Sequence, residues 1–286
     1  MSLIRWPDTL VTELAERRCV VFMGAGVSMG STGADGKTHP PAWDRFLTEA
    51  LSLVSRKTDR KFARALIQKG KFLDAAEVIT ECSDHAEFGA YVRRTFSEPR
   101  FTASEIHKTI LDIDPKIVIT TNYDQIYDQY CNSGMATAGY NVARYYDRFV
   151  VENIRSRVRV IIKAHGCVSD VTKIVLSRSS YYKARRDFPG FYEVLDALFL
   201  TSTLVFVSCS LADPDIQLIL ENANISAPSV HPHYALVEKS SHRSIRAAIK
   251  TTYNIELVEY PSGRHDEAIA ALSLLRDRVL AARALI

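Results

Sequence analysis

Seven short runs in this 286-residue chain are rich in β-branched and other apolar residues, and several lack the polar residue at every second place that a half-exposed strand shows. They are Cys19 to Met23, Ile117 to Thr120, Val158 to Ile162, Ile174 to Leu176, Leu204 to Ser208, Tyr234 to Val237 and Ile255 to Val258. A strand apolar on both faces must be covered on both, which points to a parallel sheet between two layers of helices. The sequence between the runs supplies the helices: Val11, Leu14 and Ala15; Phe188 to Leu200; Ile216, Ile219, Leu220 and Ala223; and Ile245 to Ile249. Strands alternating with helices predict an α/β fold, a Rossmann-like, doubly wound, mainly parallel sheet.

The alternation is interrupted once. No strand-like run occurs between Met23 and Ile117, about three times the ~30 residues of a simple βαβ unit. Trp43, Phe46, Leu47, Ala50, Leu51 and Val54 follow a helical period instead, as do Phe72, Ala75, Ala76 and Ile79, and then Phe88, Tyr91, Val92 and Phe96. Residues 40–110 are therefore expected to form a small inserted helical module, with 1–39 and 111–286 making the sheet domain. Near the end, Ala268, Leu272, Leu275, Val279, Ala282 and Ile286 repeat in steps of four and three. That spacing suits a helix lying on its own sheet or lining a seam between subunits, and the shortness of the pattern favours the sheet.

Glycine is scarce, 12 in all, yet Gly24, Gly26, Gly30, Gly33 and Gly36 crowd the residues after the first run. Glycine gathers where a backbone turns sharply or approaches a ligand closely, and the loop after the first strand is where a Rossmann-type sheet meets a pyrophosphate. The spacing Gly24-Ala-Gly-Val-Ser-Met-Gly30 is not the dehydrogenase fingerprint. No acidic residue ends a strand near position 45, and no Gly-Lys-Ser/Thr closes a P-loop. A tight strand-to-helix turn is the plain alternative.

Polar residues follow three further runs, at the strand ends where open α/β sheets bind ligands. Asn122 and Asp124 follow the second run; either could instead cap the helix covering Ile126 to Tyr130. His165 and Gly166 follow the run at Val158, and Ser208 and Ser210 that at Leu204, before Asp213-Pro214-Asp215, which has the make-up of a helix start. Taken together they point to a site.

Composition excludes several classes. With 36 Lys and Arg against 33 Asp and Glu, the net charge of +3 is too mild to indicate nucleic-acid binding. The five cysteines form no Cys-x-x-Cys pair, so no zinc site of the usual spacing is present. An odd count without pairing suits a reducing compartment. The first residues lack a signal-peptide pattern and no window approaches a membrane span, so the chain is read as cytoplasmic, without membrane or direct nucleic-acid binding. His231-Pro-His233 has no third ligand at metal spacing, and Arg178, Tyr182 and their basic neighbours are read as a solvated helix face that could alternatively close over a substrate.

Four motifs in order, Gly24-Ala-Gly-Val-Ser28, Thr120-Thr-Asn-Tyr-Asp124, Lys163-Ala-His-Gly166 and Ser208-Cys-Ser-Leu-Ala-Asp213, resemble the sirtuin superfamily, and more narrowly its bacterial, defence-associated branch. The resemblance implies an NAD-binding Rossmann-like domain with a smaller helical module, and cleavage of the bond between nicotinamide and ribose. Carried over by position, Gly24, Ala25, Gly26 and Ser28 line the pyrophosphate, with Thr121 beside the cofactor. Asn122 holds the nicotinamide ribose or the attacking water, Asp124 takes the carboxamide, His165 is the general base, and Ser208 and Ser210 contact the adenosine half. The zinc ribbon of protein-deacylating sirtuins is missing, and Gly36-Lys-Thr-His-Pro-Pro-Ala-Trp43 stands in place of their Gly-Ile-Pro-Asp-Phe-Arg segment. The resemblance therefore implies an NAD hydrolase acting in antiphage defence without zinc, oligomeric or activated by a separate sensor chain of ATPase or Argonaute type. A protein deacylase, an ADP-ribosyltransferase and a non-catalytic NAD or ADP-ribose sensor are the alternatives. Gly33 and Gly36 are assigned to a mobile loop, residues 31–42, able to order over bound NAD.

Overall fold

The computed structural model describes residues 4–135, 139–239 and 242–286. Seven strands form one sheet, β1 (Cys19–Met23), β2 (Ile117–Thr120), β3 (Tyr140–Arg144), β4 (Arg159–Lys163), β5 (Thr203–Val207), β6 (His233–Glu238) and β7 (Ile255–Tyr260), in the order β3-β4-β2-β1-β5-β6-β7. Every pairing is parallel. β1 lies at the centre, and the winding reverses between β1 and β5, the switch point where such sheets open a ligand crevice.

The unbroken apolar runs have the cause inferred for them. Val21, Met23, Val118, Ile161 and Val205 enter one core with the helices Asp8–Ala15, Glu105–Ile113 and His265–Arg283. Their neighbours Val20, Phe22, Ile119, Ile162 and Phe206 enter a second core with the helices Arg178–Asp187, Pro189–Thr201 and Pro214–Ser226. Phe22 and Phe206 meet at 5.1 Å between ring centres, and burying each is worth roughly 1.5–3 kcal/mol. The long helix His265–Arg283 buries Ala268, Leu272, Leu275 and Val279 within its own chain, so its heptad-like spacing serves the sheet.

Two strand assignments differ from the expectation. Ile174 to Leu176 is not in the sheet; it runs extended beside the loop after β4, with the Val175 amide donating to the His165 carbonyl at 3.0 Å. Its apolar side chains still enter two cores, Val175 the second, against the sheet, and Leu176 the one formed by the helices between β1 and β2. The strand absent from the sequence reading is β3, an edge strand paired only with β4 and buried at two of its five positions. With one neighbour and partial cover, it needs no continuous apolar run.

Between β1 and β2 the helices Trp43–Ala50, Lys57–Gln68, Phe72–Glu81 and His85–Phe96 enclose a third core around Phe46, Leu47, Ala76, Ile79 and Tyr91. That core also takes in Tyr123, Cys167, Val168 and Leu176 from the segments following β2 and β4. The helices thus sit over the carboxyl edge of the sheet. The next helix, Glu105–Ile113, crosses the expected boundary at 110 and packs Ile106 and Ile110 against the sheet.

Candidate active site

The strand register brings the four motifs together. Met23 pairs with Thr120 on one side and Val207 on the other, and Thr120 pairs with Lys163. One to three residues beyond that common level stand Gly24 to Gly26, Thr121 and Asn122, Ala164 and His165, and Ser208 to Ser210. All reach the same edge beside the β1/β5 reversal.

Here the glycines face protein. The Gly24 amide donates to Val207 O at 3.0 Å and the Gly26 amide to Ser208 O at 3.2 Å. A Cβ on Gly24 would lie 2.5 Å from Cys209 Cα, and one on Gly26 would lie 2.9 Å from Ser208 Cβ. The turn after β5 folds back through Ser208 and Leu211, both at positive φ, and only glycine lets the two loops touch. The side chain of Ala25 is exposed at the crest of the first turn, and Ser210 at that of the second.

Beneath the crevice lies a network that engages four of the expected site residues, Gly24, Ser28, Asn122 and Asp124. Asn122 Nδ2 donates to the Gly24 carbonyl and to Ser28 Oγ, each at 3.0 Å. A carbonyl can only accept, which fixes the amide orientation. The side-chain oxygen of Asn122 has no protein partner among the described residues and remains an acceptor for a ligand. Ser28 donates onward to Asp124 Oδ2 at 2.8 Å, and Asp124 Oδ1 accepts the Ile126 amide at 3.0 Å. Ser28 and Asp124 are both buried. The hydroxyl of Ser28 has no proton left for a phosphate, and Asp124 holds the amide of Ile126, the first residue of the helix Ile126–Tyr130, whose N-cap position is Gln125.

Lys163, the last residue of β4, is wholly buried and donates to the Asp124 main-chain carbonyl, with Asp128 Oδ2 at 3.5 Å. Burial opposes its charge, but Asp128, Cys167 and Asp124 outweigh that and hold its pKa above the ordinary lysine value. The ammonium thus anchors the loop bearing Asn122 from below.

His165 is buried at the end of the same strand, its Nε2 3.4 Å from Asp213 Oδ2. Tyr181 donates to that oxygen at 2.6 Å and turns its ring edge-on to the imidazole, the ring centres 5.0 Å apart. Gly166, at φ +81°, passes so near the Lys173 carbonyl that a Cβ would clash, and this turn holds His165 in place.

The remaining candidates fall elsewhere. Arg178 donates to Asp74 Oδ1 at 2.9 and 2.7 Å, and Tyr182 is exposed beneath Arg186, so both belong to an outer helix face. The loop expected to be mobile is pinned: Asp35 accepts the Lys37 and Thr38 amides, Ala34 donates to Pro99 O, and Thr102 donates to Thr32 O. His233 opens β6, accepts the Leu204 amide at 3.2 Å, and is pushed down to about 4 by burial. Among the described residues no group of three or more His, Cys, Asp or Glu side chains could hold a metal. A cavity of about 520 Å³ lies at the opposite, amino edge of the sheet, lined by Arg18, Thr203, His233 and Asn254 among others. No motif residue reaches it, so the strand-end crevice is the stronger candidate site.

Sheet order, winding reversal and polar strand ends define a doubly wound α/β protein with a crevice at the carboxyl ends of its strands. The SIR2-like domain matches residues 116–258, half of the sequence, and the chain belongs to that family. It is 28% identical over 138 residues to the NAD(+) hydrolase ThsA of Enterococcus faecium, covering 48% of this chain and 28% of that protein. To the defense-associated sirtuin 2 of Bacillus subtilis it is 24% identical over 212 residues, covering 71% and 19% respectively. To the NAD(+) hydrolase ThsA of Acinetobacter baumannii it is 20% identical over 256 residues, covering 87% and 48%. The chain therefore spans less than half the length of these relatives.

Proposed function

We propose that this chain is an NAD glycohydrolase that converts NAD and water into nicotinamide, ADP-ribose and a proton, and that it acts in antiphage defence by depleting NAD. The observation that carries this reading is the convergence of Asn122 and His165 at neighbouring strand ends beside the β1/β5 reversal. The names of the relatives support it. The pyridinium leaves as neutral nicotinamide and needs no acid. The demanding tasks are to hold an oxocarbenium-like ribose, to place a water, and to accept its proton. Asn122, its amide hydrogens anchored in the protein, presents its side-chain oxygen to a ribose hydroxyl or the water. His165 accepts the proton. Ala25 and the Ser208–Ser210 turn border the path of the diphosphate and adenosine, with Thr121 beside them. We assign Ser28 and Asp124 to holding Asn122 in place. Activation by self-assembly or by a sensor chain is part of the proposal.

The test is incubation of purified protein with NAD, with and without an acetylated peptide, following nicotinamide and acyl products by mass spectrometry. Peptide-independent release of nicotinamide is expected, abolished by His165→Ala and reduced at least 100-fold by Asn122→Ala. Release that requires the peptide would identify a deacylase, and full activity in both variants would overturn the site. Light scattering with and without NAD tests assembly, which is expected to accompany turnover.

A further inference from the structure

Asp213 begins the helix Pro214–Ser226, and its Oδ1 does what an N-cap does, accepting the Asp215 amide at 3.0 Å and the Ile216 amide at 3.1 Å. Capping uses one oxygen. The other, Oδ2, accepts the Tyr181 hydroxyl and faces His165 Nε2 at 3.4 Å. Three donors and the amino end of a 13-residue helix converge on this carboxylate. The imidazole against it is only 5% exposed, so the contact is shielded from water. The other titratable groups around this pair are engaged: Asp215 with Arg185 and the Tyr192 hydroxyl, and Tyr123 with the Val175 carbonyl. Lys163, two residues before His165, faces Asp124 and Asp128. Among the described residues Asp213 is thus the one carboxylate within ion-pair distance of the imidazole.

We propose that Asp213 is a positioning residue for His165. It accepts a proton held on Nε2, so that Nδ1 carries the lone pair that takes the proton in the reaction, and it offsets the charge of the imidazolium formed. Because an imidazole holding a proton on one nitrogen accepts at the other, a fixed partner on Nε2 decides which nitrogen is basic. The assignment extends the proposed NAD cleavage by naming the reacting nitrogen, and it rests on that reading for its catalytic part only.

The substitution Asp213→Asn separates this role from capping. The Asp215 and Ile216 amides need an acceptor, so the Asn oxygen is held at the Oδ1 position and its NH2 is forced into the Oδ2 position. Tyr181 can turn its hydroxyl to accept from that NH2. His165 Nε2, now facing a donor, must give up its proton, and the tautomer inverts to Nδ1–H. The helix keeps its cap and the protein its fold.

The experiment is 15N NMR of protein labelled in the histidine rings, at alkaline pH where the rings are neutral, with His165→Gln assigning the signal. Wild type is expected as the Nε2–H tautomer and Asp213→Asn as Nδ1–H, with kcat for NAD lowered about 100-fold or more and KM within about twofold. An Nδ1–H tautomer in wild type would overturn the proposal without any variant. So would an unchanged tautomer in a folded Asp213→Asn protein, or an unchanged kcat. If wild type does not cleave NAD but the tautomer inverts as expected, the pairing stands and the proposed function fails.

Discussion

At the scale of single residues, the crevice is built from groups whose obvious roles are filled inside the protein. Ser28 links Asn122 to Asp124. Replacing it by Ala leaves a buried carboxylate short of a donor, and a loss of about 1–3 kcal/mol is expected in urea titrations, together with weaker NAD turnover. Gly24→Ala drives a methyl group into the Cys209 backbone, and a loss of at least about 1–3 kcal/mol is expected by the same method. His107 gives a pH dependence. Its Nδ1 accepts the Ser104 amide in a capping box, and burial, partly opposed by Asp124, pushes its pKa down to about 4. The unfolded chain binds this proton near pH 6.5 and the folded chain does not, so stability is full above that pH and falls as pH drops toward about 4. His233 adds to the same slope. Denaturant midpoints between pH 7 and 4.5 should fall less steeply in His107→Gln; an identical slope would assign the dependence to other groups. Asn122 and His165 were legible in the sequence because polar residues directly follow buried strands. Lys163 carried a signal too, a cation set directly after the apolar stretch Val160-Ile-Ile162. Asp213 showed only its cap, since the second use of a carboxylate oxygen depends on a helix 32 residues earlier in the chain.

At the scale of elements, central strands and covering helices follow the local pattern closely, while edges and loops do not. β1, β2, β4 and β5 are buried on both faces and are written as apolar runs. β3 needs one neighbour, and Ile174 to Leu176 is apolar without joining the sheet, because Val175 and Leu176 are buried in two of the cores beside the His165 loop. Residues 31–42 carry the glycines of a flexible segment, yet Asp35 and the Pro99 to Thr102 stretch hold them. Glycine content permits motion but does not reveal the partners that remove it. The helix Arg178–Asp187 is tied to Phe72–Glu81 by Arg178 and Asp74, both partly exposed. Such a pair is worth about 0–1 kcal/mol, so Arg178→Ala should leave stability within about 1 kcal/mol and turnover within about twofold. A large fall in kcat would move Arg178 into the site.

At the scale of the whole molecule, three cores meet at the carboxyl edge of the sheet, and the helices between β1 and β2 share one of them with Tyr123 and Cys167. The loops that carry Asn122 and His165 are therefore clamped from above by that core and from below by Lys163. Lys163→Ala removes the charge that balances Asp128 and Asp124, and a loss of about 3–5 kcal/mol is expected. Lys163→Met, which keeps the stem, should recover part of the stability but not the placement of the Asn122 loop, read as lower NAD turnover in a folded protein. The sequence by itself determined the α/β class, the doubly wound sheet and the edge at which polar groups gather, because burial on both faces and helical period are local in the chain. Only the tertiary structure decided which polar groups face the crevice and which face each other. Ser28, Asp124 and Asp213 each find partners far away in sequence, and a hydrogen bond is set by position in space.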